Sequence, residues 1–102
     1  MNILFVGDIV GRPGRQALAE RLPGIVDAHG VDFTIANCEN SAGGLGVTER
    51  TATQLLDAGV DVLTGGDHSW DRTEGIPFLD KCERVLRPAN YPAGTAGRGS
   101  GV

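Results

Sequence analysis

Five polar side chains of this sequence have the chemical types found in metal centres, and each directly follows a short apolar segment. They are Asp8, Glu39, Asn40, Asp67 and His68. Clustered carboxylates repel one another unless positive charge lies between them. Carboxylate and amide oxygens with an imidazole suit Mn²⁺, Fe or Zn²⁺ better than a soft thiolate site does. If the fold brings these residues together, they point to a metal centre, and two neighbouring metals stabilise both the attacking and the leaving oxygen in phosphoryl transfer.

The apolar segments are predicted to be strands of a mostly parallel sheet. Ile3–Gly7, Val31–Ala36 and Val60–Thr64 are short apolar runs typical of buried strands, and Val85-Leu86 starts a fourth. A turn is predicted over Asp8–Gly14. Ligands of open α/β sheets bind beyond the carboxyl ends of parallel strands, which share one edge. We therefore expect the five polar side chains to meet at that edge.

Helical patterns separate the predicted strands. The first contains Pro23, which is expected to kink or divide it, and ends at His29-Gly30. The second begins after the capping residue Thr48 and ends at Gly59, and the third covers Thr73–Lys81. This alternation predicts an α/β fold, in which right-handed crossovers join the strands of a mostly parallel sheet with flanking helices.

Size and composition limit the classes of function. The chain of 102 residues suffices for one small domain, and its net charge of −4 argues against broad binding to nucleic acid or to an anionic membrane. No apolar run approaches the length of a membrane span, so we expect a cytoplasmic protein. Cys38 and Cys82 are too widely spaced for a disulfide framework, and we expect buried free thiols.

Four segments carry a resemblance to a known family. They are Gly7-Asp8-Ile9-Val10-Gly11, Asn37-Cys38-Glu39-Asn40, Gly66-Asp67-His68-Ser69-Trp70-Asp71 and Arg87-Pro88-Ala89-Asn90-Tyr91-Pro92. In order, they resemble the metal-site motifs of calcineurin-like metallophosphoesterases, and the last narrows the match to the bacterial YmdB-type subfamily. Members of that subfamily hydrolyse cyclic nucleotides, notably 2′,3′-cyclic nucleoside monophosphates. The resemblance implies that residues 1–102 are the amino-terminal part of a single, incomplete metallophosphoesterase α/β sandwich.

The resemblance also implies roles for individual residues. Asp8 would ligate the first of two divalent metal ions (Fe, Mn or Zn), and Glu39 would bridge both. Asn40 would lie beside the metals and contact one of them or the substrate phosphate. His68 would protonate the leaving oxygen or orient the phosphate, and a hydroxide shared by the metals would be the nucleophile.

The sequence departs from the family pattern in two ways. The family has Gly-Asn-His where this chain has Gly66-Asp67-His68, so Asp67 is a metal candidate that adds a negative charge. Family members are also longer, and their further histidines complete both metal spheres. The other histidine here, His29, is predicted at the opposite edge of the sheet. Water, or another chain in a homo-oligomer, would have to supply the missing ligands.

Three arginines and an asparagine lie near the predicted edge. Arg87 and Asn90 follow the fourth strand and are predicted to line a site for the small cyclic-nucleotide substrate. Arg12 and Arg15 flank the first loop and are expected to be solvated surface residues rather than phosphate ligands.

Three other functions are consistent with parts of the sequence. A Rossmann-like module is one, although Gly7, Gly11 and Gly14 do not form G-x-G-x-x-G. An aspartyl-phosphate enzyme would use Asp8 as its nucleophile, but the position two residues on is Val10 rather than an acid. The third is a non-enzymatic metal-binding or regulatory fragment that lacks the remaining ligands.

Overall fold

The computed structural model describes residues 1–102 and has strands and helices in strict alternation. In chain order they are β1 (Ile3–Val6), α1 (Gly11–His29), β2 (Phe33–Asn37), α2 (Glu49–Asp57), β3 (Val62–Thr64), α3 (Ile76–Lys81) and β4 (Val85–Leu86). A 3-10 turn at Thr73–Gly75 leads into α3, so the predicted third helix is present with an irregular first turn. The predicted α/β fold is confirmed.

The four strands form one parallel sheet in the order β1-β2-β3-β4. Ile3 pairs with Phe33, Ile35 with Val62 and Leu63 with Val85, so each strand lies beside the one before it. Right-handed crossovers that advance in one direction place all their helices on the same face of a sheet. The alternation of burial along the strands agrees with this arrangement.

One face of the sheet carries the core. Strand residues Ala36, Leu63 and Val85 are almost completely buried there, against Leu22 of α1 and Leu55 of α2. Ala36 pairs with Leu63 and Leu63 pairs with Val85, so the three side chains point to the same face of the sheet and define its covered side. The rest of the buried apolar cluster comes from the helices and loops: Ile9, Leu18, Cys38, Val47, Ala52, Val60 and Leu79.

The second face of the sheet is apolar and open. Ile3 and Phe5 are each 60% exposed, and their neighbours Phe33, Ile35 and Val62 are only half-buried. An apolar surface of this kind is typical of a contact with another layer or another chain. The α/β sandwich implied by the family resemblance needs a second layer here, and the three helices of residues 1–102 all lie on the other side.

The ends of the helices follow known capping rules. Thr48 caps α2, with a capping box to Thr51, as its type predicts. Gly30 ends α1 with a left-handed φ of 59°, which glycine adopts at no steric cost. The predicted turn over Asp8–Gly14 is wrong in its second half, because α1 already begins at Gly11. Pro13 lies in the first turn, where its missing N–H is not needed.

The helix α1 continues through Pro23, so this residue does not divide it. Pro23 is exposed, so water can bind the carbonyl oxygen that loses its helical hydrogen bond at this proline. None of the helices combines the length and the apolar character that a membrane crossing requires.

Candidate metal centre

The polar residues that were predicted to meet do lie along one edge of the sheet. Asp8 follows β1, Glu39 and Asn40 follow β2, and Asp67 and His68 follow β3. Because these strands are parallel and consecutive, their carboxyl ends form a row with a spacing of about 4.8 Å. The loops after β1 and β3 are therefore about 10 Å apart at the backbone, with the loop after β2 between them.

Asn40 joins the loop after β2 to the loop after β1. Its side-chain Nδ2 donates a hydrogen bond to Asp8 Oδ1 at 3.0 Å. Its backbone carbonyl oxygen accepts a hydrogen bond from the N–H of Gly11 at 3.0 Å. The side-chain oxygen Oδ1 of Asn40 is buried and has no hydrogen-bond partner. A buried polar atom without a partner is costly in a folded protein, so this oxygen is suited to receive a ligand.

Glu39 joins the loop after β2 to the loop after β3. Its Oε2 accepts a hydrogen bond from the backbone N–H of His68 at 3.0 Å, and its Oε1 lies 3.4 Å from Asn37 Nδ2. The carboxylate packs directly over Gly66, where an added Cβ would overlap it. The close approach of the carboxylate, rather than a left-handed backbone, therefore favours glycine at position 66.

The imidazole of His68 is held by two aspartates. Nδ1 lies 2.7 Å from Asp71 Oδ2, and Nε2 lies 3.9 Å from Asp67 Oδ1. The hydrogen bond to Asp71 raises the pKa of His68 above its usual value; partial burial opposes the shift, and the charge of Asp67 adds to it. The ring is therefore protonated in a larger fraction of the molecules at neutral pH than an ordinary histidine would be, which suits a proton donor.

Arg87 and Asn90 lie at the same edge, beyond β4, since that strand is parallel to β3. Arg87 Nη1 donates to the carbonyl oxygen of Pro88 at 2.8 Å, while its buried Nε has no partner. Asn90 is exposed in the turn closed by Tyr91. The ring of Tyr91 packs against Trp70, with centroids 4.7 Å apart, and this contact holds the turn beside the loop that carries His68.

Three further residues, which had no predicted role, support the site. Asp71 binds the ring of His68, Asn37 lies against Glu39, and the buried Ser69 accepts a hydrogen bond from the N–H of Gly66 at 3.0 Å. The side-chain oxygen of Asn37 is also buried without a partner. The short spacing of these residues from the predicted site residues could have identified them in the sequence, as for His68 and Asp71, which are three residues apart.

Cys38 lies beneath Glu39 and is fully buried, whereas Cys82 is half-buried; both are free thiols, as expected. Burial, with the charge of Glu39, raises the pKa of the Cys38 thiol to about 12. The neutral thiol thus contributes stability below about pH 9 that is lost as the pH rises toward 12. In a Cys82→Ala variant, we expect Cys38 to resist iodoacetamide at pH 8 until denaturant is added, as measured by mass spectrometry. Rapid labelling of the native protein would contradict this burial.

The donor atoms at the edge fit a divalent cation, and they also show that more ligands are needed. Asp8, Glu39 and the two unpartnered amide oxygens are hard oxygen donors, and no lysine or arginine lies within 4.0 Å of either carboxylate. However, no three histidine, cysteine, aspartate or glutamate side chains are close enough together to hold a metal ion. Among these donors, Asn40 Oδ1 is the oxygen best suited to a cation, because it is buried and has no hydrogen-bond partner.

The family of this chain follows from comparison with known proteins. Residues 4–102 match the family of YmdB-like proteins. The chain belongs to this family. It is 44% identical over 99 residues to the 2′,3′-cyclic-nucleotide 2′-phosphodiesterase of Bacillus subtilis (strain 168), an alignment that covers 97% of this chain and 38% of that protein. The chain thus spans less than half the length of this relative.

Two solved structures have the same fold. A crystal structure of a hypothetical protein from Thermus thermophilus superposes with a TM-score of 0.87 at 44% identity, covering 97% of this chain and 38% of that one. That of a novel phosphatase from Mycoplasma pneumoniae gives a TM-score of 0.88 at 27% identity, covering 95% and 36%. Both confirm the arrangement of this parallel sheet and its helices.

Proposed function

We propose that this chain forms part of a metal-dependent phosphodiesterase that hydrolyses 2′,3′-cyclic nucleoside monophosphates. The main support for this proposal is the row of oxygen donors from Asp8, Glu39 and Asn40 at the ends of adjacent parallel strands. Within this row, Asn40 Oδ1 is buried and has no hydrogen-bond partner. The substrate class is supported by the name of the Bacillus subtilis relative, which is 44% identical over 99 residues.

The proposed ligands of two divalent metal ions (Mn, Fe or Zn) are Asp8, Glu39, Asn40 and Asp67. When bound, these ions would supply positive charge that polarises the phosphodiester and lowers the pKa of water. Glu39 comes from the central loop of the row, which supports the proposal that its carboxylate would serve both ions. Asp8 and Asp67 come from the loops on either side of it.

In the proposed reaction, water forms one P–O bond and releases a proton to the solvent, and one P–O bond to the ribose breaks. The leaving ribose oxygen takes a proton, and we assign its donation to His68. The hydrogen bond from Nδ1 to Asp71 fixes the ring, and Nε2, which makes no hydrogen bond and lies 3.9 Å from Asp67 Oδ1, is the nitrogen proposed to give the proton. Arg87 and Asn90, at the end of the row beyond β4, are proposed to contact the substrate together with Asn40.

A second candidate is a metal-binding fragment without turnover. It is favoured by the absence of any cluster of three histidine, cysteine or acidic side chains in a chain with only two histidines. On either proposal, the remaining ligands would come from water, from further protein, or from another copy of the chain in a homo-oligomer.

The two candidates are separated by hydrolysis of a 2′,3′-cyclic nucleotide with and without Mn²⁺. We expect Mn²⁺-dependent turnover that is lost in Asp8→Ala and retained in Asp27→Ala. Asp27 is a matched control, because it is an exposed aspartate in the last part of α1, away from this edge of the sheet. Mn²⁺ binding by the folded chain with no turnover would instead favour the second candidate.

The same assay tests the assignment of Asp67. The Asp67→Asn variant keeps an oxygen donor and restores the residue of the family pattern, while it removes one negative charge. If both its Mn²⁺ affinity and its turnover equal those of the parent chain, Asp67 does not belong to the metal centre.

A further inference from the structure

Three arginines line an open cavity that shares no residue with the candidate metal centre. Arg12 and Arg15 belong to α1, and Arg50 belongs to α2; Gln16 and Gln54 complete a lining that contains neither an acidic nor an apolar residue. The cavity has a volume of about 420 Å³. We refer to these five residues as the arginine pocket. Every one of them carries N–H donors.

Arg15 is the fixed member of the arginine pocket. It is only 8% exposed, so the expectation that it is a solvated surface residue is wrong. Its Nε donates to Gln54 Oε1 at 2.7 Å, and its Nη1 donates to the carbonyl oxygen of Ser41. Both partners are neutral oxygens, so they orient the guanidinium without cancelling its charge.

The charge of the arginine pocket is not neutralised within the chain. No carboxylate lies within 4.0 Å of Arg12, Arg15 or Arg50. Burial, followed by the charges of Arg50 and Arg12, lowers the pKa of Arg15. Three cations are thus held near one another in a protein whose net charge is −4. A bound anion would relieve this mutual repulsion.

The positions of these arginines in their helices add a second argument. Arg12 lies in the first turn of α1, which has no acidic residue. Arg50 lies in the first turn of α2 after Glu49, whose carboxylate is not within 4.0 Å of it. The amino-terminal end of a helix carries partial positive charge, so a cation there is locally unfavourable. The same end favours a bound anion, and especially a phosphate group. The two helices pack against each other, which brings both ends to the pocket.

We propose that the arginine pocket binds a phosphate-bearing anion, with a diphosphate group as the best match. Guanidinium groups pair with phosphate oxygens through two parallel hydrogen bonds, and three arginines can share two phosphate groups. The volume of about 420 Å³ exceeds what one phosphate fills and leaves space for a larger substituent. Free pyrophosphate and a nucleoside diphosphate present the same chemistry.

The test is isothermal titration of the whole chain with phosphate, pyrophosphate and a nucleoside diphosphate, in EDTA so that metal does not contribute. We expect saturable binding that is weakened about tenfold by Arg12→Gln and by Arg50→Gln, because each removes a charge-assisted hydrogen bond. Arg21→Gln is the matched control, since Arg21 is an exposed arginine of α1 outside the pocket. Tighter binding of the nucleoside diphosphate than of pyrophosphate would identify a nucleotide; equal binding would identify the phosphate groups alone.

Either of two results would overturn the proposal. One is the absence of saturable binding. The other is binding that Arg12→Gln and Arg50→Gln weaken no more than Arg21→Gln does, because the anion would then be held elsewhere or by general charge alone. Arg15 is left unchanged in this series, because its buried guanidinium also holds the backbone at Ser41.

Discussion

The Glu39→Gln variant is expected to bind Mn²⁺ at least about a hundredfold more weakly than the parent chain, because even the loss of an outer-shell partner costs up to that much. The substitution removes the negative charge of a carboxylate whose loop lies between the loops after β1 and β3. Glutamine keeps an oxygen that accepts the hydrogen bond from the N–H of His68, so the fold should be retained. Isothermal titration with Mn²⁺ measures the affinity, and circular dichroism checks the fold.

Glu20→Gln is the control for this variant. Glu20 is an exposed residue of α1 that makes no ion pair, so the change in formal charge is the same but its location differs. We expect its Mn²⁺ affinity to equal that of the parent. If Glu39→Gln binds Mn²⁺ as tightly as Glu20→Gln does, Glu39 is not a metal ligand, and the proposed function loses its central residue.

The Gly66→Ala variant is expected to lose metal affinity by about ten- to a hundredfold, the range found when a supporting group of a metal ligand is removed. The new methyl group would overlap the carboxylate of Glu39, which would have to leave the N–H of His68. Glu39 has a flexible side chain and Gly66 has no left-handed backbone, so the cost in folding stability should be small. Thermal unfolding and Mn²⁺ titration of the same sample separate the two effects.

The matched control is Gly24→Ala. Gly24 lies inside α1, has no atom within 4 Å of an added Cβ, and is far from the strand ends in sequence. Alanine there should stabilise the helix by about 1 kcal/mol and leave metal binding unchanged. A Gly66→Ala chain with normal Mn²⁺ affinity would mean that the packing of Glu39 against Gly66 has no part in forming the site.

Much of the fold could be predicted from the sequence, because the signals are local. Continuous apolar runs mark the strands, although the prediction that β1 is buried is wrong, because Ile3 and Phe5 are exposed on the open face. Thr48 marks the start of α2, and Gly30 marks the end of α1. The ends of an element could not be predicted where one residue type fits two local structures. Gly11 and Pro13 are typical of turns, yet both also fit the first turn of a helix, and there they begin α1.

Part of the candidate site could be predicted for the same reason. Once the strands are parallel, the residues after them must share an edge, and this places Asp8, Glu39 and His68 together without any knowledge of side-chain positions. The side-chain types then favour oxygen-rich metal binding, which is the basis of the proposed function. These conclusions need only the order of the elements and the side-chain types.

Other features were decided only by the tertiary structure, because they depend on contacts between residues far apart in the chain. The sequence does not show that Asn40 donates to Asp8 and leaves its own oxygen buried, or that Glu39 packs over Gly66. Arg15 was predicted to be exposed, and the packing of α1 against α2 buries it beside Gln54. The sequence gives the type and the charge of each side chain. The burial of a side chain and its hydrogen-bond partners depend on how the helices and loops pack.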